Sequence, residues 1–166
     1  PYSSAGLIWR DFGHKLVSCD QVWSFVDQEL IQGIDAVDNG ALPGVDYPAK
    51  AATVSNLISG FNPNWDSEQK PDDAFLEAVR FAQGVLARAI ASAESKARAK
   101  DIVDAAIEAS EDQIIVLPQF APWQEYVLTS TDAKAADALY MVFPSNRGGY
   151  SIQAIPDAIG SFENRK

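Results

Sequence analysis

Asp35 and Asp38 stand three residues apart in Asp35-Ala36-Val37-Asp38-Asn39-Gly40, where an apolar helical pattern runs into a turn-forming Asn-Gly. Residues at that spacing share a helix face. Two such carboxylates could hold a hard divalent cation, which takes oxygen ligands and, in phosphoryl chemistry, neutralises charge and activates water. The pair reads equally as a helix end with solvated acids. Ser3 and Ser4 form a second candidate, because a helix start offers backbone N–H groups and hydroxyls that suit a phosphate. Plain N-capping uses the same atoms. The densest basic cluster is Lys96, Arg98 and Lys100, with Arg80 and Arg88 upstream. Lys96 and Lys100 share a face and Arg98 points elsewhere, which leaves a phosphate clamp and a solvated surface both open.

Other chemistries are limited by what the chain lacks. A single histidine, His14, cannot build a multi-histidine metal site, and it reads as a surface or capping residue. A single cysteine, Cys19, excludes an internal disulfide and fits a reducing compartment; it reads as a small, half-buried apolar side chain.

The elements that must position these residues follow from periodicity. A helix starts at Ser3 or Ser4 and is interrupted by Gly13. A second runs over 20–37 on the stripe Val22, Phe25, Val26, Leu30, Ile31, Ile34 and Val37. Asp35 sits off that stripe and Asp38 falls one residue past it. Pro43-Gly44 and Tyr47-Pro48 mark a loop, interrupted by a short helix over 51–58, and Phe61 with Trp65 should pin the loop to a core. A long pattern over 71–110 changes phase near 92–100, which fits either two helices or one helix that changes partners midway; a helix connecting two domains is the favoured reading. Ile114–Leu117 reads as a buried strand, and 139–143 with 150–155 flank Pro144–Gly149 as a hairpin.

The chain is 166 residues with 47% apolar and 22% charged residues, an ordinary globular composition. Its net charge of -10 argues against broad electrostatic binding to nucleic acid or anionic lipid. A phosphate ester would need a metal or a local basic patch. No run is long enough for a membrane span and Pro1–Gly6 has no signal-peptide pattern, so the expected location is cytoplasmic.

Six segments in order carry a resemblance: Ser3–Trp9, Ile34–Gly40, Phe61-Asn62-Pro63-Asn64-Trp65, Pro122-Trp123-Gln124-Glu125, Ile152–Pro156 and Phe162-Glu163-Asn164-Arg165. Together they resemble the melanocyte-proliferating-gene family of metal-dependent hydrolases, whose eukaryotic members act as 3′–5′ RNA exonucleases. That family is in turn similar to the DHH phosphoesterases. The resemblance implies an α/β fold, α+β within this chain. Residues 1–70 would be the helical remainder of a DHH-like domain, 71–110 a connecting helix, and 111–166 part of a small α+β second domain. It implies a metal-dependent phosphoesterase using Mn2+ or Mg2+, acting on RNA or short oligonucleotides through the metal. Asp38, matching the family's Asp before a small polar residue and Gly, would be the metal ligand, with Asp35 beside it as a further or supporting carboxylate. Ser3, Ser4 and, from charge and position, Arg98 would contact the substrate phosphate.

The family's opening strand, its His- and Asp-containing motif, its Asp-His-His-Gln and its C-terminal Gly-rich segment have no counterpart in these residues. The chain therefore resembles an internal fragment, expected to be inactive alone. A non-catalytic interaction or oligomerisation module is the alternative, and a homodimer is among the expected partners.

Overall fold

A computed structural model describes residues 2–41 and 52–166. The expected turns at Pro43-Gly44 and Tyr47-Pro48 lie outside those residues. The chain divides into two compact units, residues 1–94 and 95–166.

In the first unit, α1 (Ser4–Phe12) begins where expected, with Ser3 as its N-cap and the Ser3 Oγ accepting from the Gly6 N–H. Gly13 ends it and opens a single 3-10 turn. The helix expected over 20–37 runs from Asp20 to Asp38 and is not regular. α2 (Asp20–Val26) passes through a π-helical turn (Asp27–Ile31) into α3 (Gln32–Asp38). The Gln32 N–H donates to the Asp27 carbonyl, five residues back. A π turn inserts one extra residue and so changes the phase of the buried face. Here that face runs Val22, Val26, Ile31, Asp35, with a step of five across the insertion. A uniform 3.6 period places Asp35 off the stripe; the inserted residue returns it to the core side, packed toward α1.

Aromatic packing fixes the α1–α2 corner. Trp9 stacks on Trp23 with ring centroids 6.1 Å apart, and His14 stacks on the same indole at 4.8 Å. Gly13 fits because a Cβ there would lie 2.7 Å from the Trp9 ring. Cys19 is exposed rather than half-buried, because it occupies the N-cap position of α2 and faces outward. α4 (Val54–Ser59) carries a reciprocal Thr53–Asn56 capping box. Phe61 packs against Phe81 at 5.5 Å, as a loop anchor should, whereas Trp65 is 98% exposed and anchors nothing.

α5 (Pro71–Glu108) is one continuous helix, with Asp72 and Asp73 in its first turn complementing the helix dipole. The division between the units falls inside it. Its phase change corresponds to a change of surroundings along the rod: Ala74 and Ala93 are buried in the first unit, and Ala99, Val103, Ala106 and Ile107 in the second.

The second unit is α+β. β1 (Ile114–Val116) pairs in parallel with β2 (Tyr140–Pro144), which pairs antiparallel with β3 (Tyr150–Ala154) in the expected hairpin. Gly148 and Gly149 take the left-handed conformation at its turn. Two short helices, α6 (Gln124–Thr129) and α7 (Ala133–Asp137), fill the β1–β2 crossover, where periodicity over so few residues gives no signal. Ile115, Met141 and Phe143 point into the core, while Ile114, Val116, Tyr140, Tyr150 and Ile152 leave the opposite sheet face in solvent. The Arg165 Nη1 closes the unit by donating to the carbonyls of Ala135, Ala136 and Ala138 at 2.6, 3.1 and 3.1 Å.

Candidate functional site

Two of the residues singled out by spacing meet in the first unit. The Asp35 Oδ1 accepts from the Ser3 hydroxyl at 2.5 Å and from the Ser3 N–H at 3.0 Å, across 32 residues of sequence. Asp35 is 8% exposed and Ser3 6%, the two buried polar side chains of the described core. Burying a carboxylate is costly unless hydrogen bonds replace its hydration. Ser3 supplies two, and the positive end of the α1 dipole adds to them. Gly6 makes the approach possible, since a Cβ there would sit 2.3 Å from the Asp35 Oδ2 and 2.4 Å from Oδ1. Glycine is costly within a helix, and that cost is the one sequence signal that could have flagged Gly6.

The end of α3 is held by a Schellman motif. The Gly40 N–H donates to the Val37 carbonyl at 3.2 Å and the Ala41 N–H to the Ala36 carbonyl at 2.8 Å. Gly40 has φ of +69°, which explains the glycine two residues after Asp38. The Asn39 side chain donates to the Asp35 carbonyl at 2.8 Å, tying the turn to the same residue. Asp38, on the last turn of α3, and Ser4, the first residue of α1, are both exposed. An open cavity of about 490 Å³ is bordered by Tyr2, Asp27, Gln32, Asp35 and Asn39.

Among the described residues no three His, Cys, Asp or Glu side chains gather where a metal ion could sit. Both Ser3 donors are committed to Asp35 Oδ1, and Asp38 is the one exposed carboxylate of the pair. The described residues therefore do not form a metal cage by themselves. Arg98 lies on an exposed face of α5 in the second unit. His14 pairs with Asp20 at 3.3 Å and stacks on Trp23, a structural arrangement.

The second unit holds a cavity that the sequence did not reveal. It measures about 480 Å³, and its lining includes Lys96, Phe120, Trp123, Gln124, Gln153 and Ile159. Lys96 forms an ion pair with Glu125, and the Tyr126 hydroxyl donates to the Lys96 carbonyl at 2.7 Å. Burial pushes the Tyr126 phenol above its ordinary value, with the charge of Lys96 opposing the shift.

Residues 1–166 match the family model of the MYG1 exonucleases, described as the uncharacterised protein family UPF0160. A MYG1 protein of Saccharomyces cerevisiae is 28% identical over 99% of this chain and 58% of its own length. The MYG1 exonucleases of Rattus norvegicus and Homo sapiens are each 26% identical over 98% of this chain, covering 49% and 50% of theirs. The chain spans about half the length of these curated relatives. No solved structure gives a significant match. No helix among the described residues is long and apolar enough to cross a membrane. Because the match runs along the whole of residues 1–166, the chain belongs to the MYG1 exonuclease family.

Proposed function

We propose that this chain is part of a 3′–5′ exonuclease that hydrolyses phosphodiester bonds in RNA or short oligonucleotides. The observation that carries this reading is the Ser3–Asp35 tie. It joins the two segments whose residue types suit phosphate and metal, and it leaves Ser4 and Asp38 exposed beside them. In this arrangement Asp35 is a positioning residue that fixes the start of α1 against α3. Ser4 is available to a phosphate oxygen, and Asp38 offers one oxygen ligand to a Mn2+ or Mg2+ ion in the intact protein. Arg98, in the second unit, is proposed as a phosphate contact from its charge and position. The relatives named as exonucleases weigh against a non-catalytic module.

The test is cleavage of an end-labelled single-stranded RNA by the intact protein, with and without added Mn2+ or Mg2+. We expect metal-dependent shortening from the 3′ end. Asp38→Ala should abolish it while changing stability by no more than about 0.5 kcal/mol, as usual at exposed positions. Full activity in Asp38→Ala would remove that residue from the mechanism, and no cleavage by the intact wild-type protein would overturn the nuclease reading.

A further inference from the structure

The cavity in the second unit is lined by all of Pro122–Glu125, a segment that carried the family resemblance, and brings Gln124 together with Gln153 from another such segment. Its volume of about 480 Å³ lies within the range of small-molecule sites. We infer that it holds the base of a nucleoside or of a single-stranded oligonucleotide. The ligand class rests on the nuclease reading above, and the test below reads binding without cleavage.

Three observations select a neutral aromatic ring with polar edges. First, two primary amides line the cavity, each able to donate and accept. Among the described residues neither the Gln124 nor the Gln153 side chain has an internal hydrogen-bond partner. Base edges present complementary donors and acceptors to groups of this kind. Second, Phe120 and Ile159 supply apolar wall while remaining 59% and 66% exposed. The Phe120 ring is braced edge-on against Phe143, with centroids 5.3 Å apart at 66°, so it offers a fixed surface for stacking. Third, the one cationic side chain of the lining is paired. Lys96 is held by Glu125, so an anion entering here would meet a carboxylate together with the ammonium. That disfavours a phosphate as the group recognised and favours an uncharged one. Trp123, 3% exposed, forms part of the same lining and provides a reporter.

The experiment is a titration of the protein with free nucleosides, read by two-dimensional NMR of the Gln124 and Gln153 side-chain amides and the Trp123 indole N–H. Inorganic phosphate serves as the control. Nucleosides should shift these three signals with a dissociation constant on the order of millimolar, and phosphate should move none of them. Gln124→Leu with Gln153→Leu should weaken binding roughly tenfold. Phe120→Ala should weaken it roughly fivefold or more, the loss of one base–aromatic stack. All three positions are exposed, so signals away from the cavity and from the Phe143 ring should be unchanged. Shifts caused by phosphate and not by nucleosides, or no shift at about 10 mM nucleoside, would overturn the inference. Cleavage of RNA without nucleoside shifts would sink this inference alone, and nucleoside shifts without cleavage would sink the nuclease reading alone.

Discussion

Replacing Gly6 by alanine isolates the Ser3–Asp35 tie, because the same substitution should change sign with its background. In the native chain the new Cβ would lie 2.3 and 2.4 Å from the two Asp35 carboxylate oxygens, far inside contact distance. The carboxylate must swing away and lose both hydrogen bonds from Ser3. Hydrogen bonds to charged groups contribute about 1.5–3 kcal/mol each. Alanine returns about 1 kcal/mol through helix propensity. The net effect is a loss of about 2–5 kcal/mol. In an Asp35→Ala background the obstacle is gone, so only the propensity gain of up to about 1 kcal/mol remains. Native-state hydrogen exchange of the α1 amides measures the stability of this unit directly. A Gly6→Ala effect of the same sign and size in both backgrounds would refute the argument that the glycine exists to admit the carboxylate.

Three further expectations follow from other parts of the fold. Burial raises the Tyr126 pKa by favouring the protonated phenol in the folded state, so its stabilising contribution is present below the ordinary value of 10.0 and is lost as pH rises through the folded value; denaturation as pH rises above 10.0 should show a decline that Tyr126→Phe reduces, and an equally steep decline in that variant would count against it. Deleting Gln28 should convert the π turn to regular α-helix and keep Asp35 facing α1, with stability within about 1 kcal/mol of wild type. An alanine inserted after Gln28 should instead rotate Asp35 away and unlock the α1 amides in hydrogen exchange; equal effects of deletion and insertion would show that the register argument fails. Arg165→Ala removes donors to three carbonyls and should destabilise the second unit by about 2 kcal/mol, with Arg165→Lys recovering part of it; unchanged thermal unfolding would show that the closure is not structural.

Elements with a long, simple period were legible in the sequence. α1, the helix ending at Asp38, α5 and the β2–β3 hairpin all lie close to where their apolar spacing and turn residues put them. What could not be read was the consequence of one extra residue. The 3.6 period continues plausibly through Leu30, Ile34 and Val37, so nothing in the pattern announces the π turn that brings Asp35 inward. Likewise the short α6 and α7 are set by tertiary packing, and Trp65 is left in solvent although its size suggested an anchor. At the candidate site, the choice of Ser3, Asp35 and their neighbours came from spacing and resemblance. The direct bond between Ser3 and Asp35, and the part played by Gly6, required three-dimensional geometry. The amide-lined cavity was hidden for the same reason, because its walls come from segments about thirty residues apart.

The open face of the three-stranded sheet has a consequence for how this chain, taken by itself, behaves in bulk solution. Ile114, Val116, Tyr140, Tyr150 and Ile152 share it with Val142, Pro144 and Ala154, and among the described residues no charged side chain of the three strands interrupts it. Contiguous apolar patches of this kind adhere to one another when molecules meet. The net charge of -10 opposes such meetings at low ionic strength, where the field of each molecule reaches about 30 Å at 0.01 M salt. At 1 M that reach shrinks to about 3 Å while apolar attraction persists. The acidic surface thus serves as a colloidal stabiliser for a sticky face, and solubility should fall as salt rises.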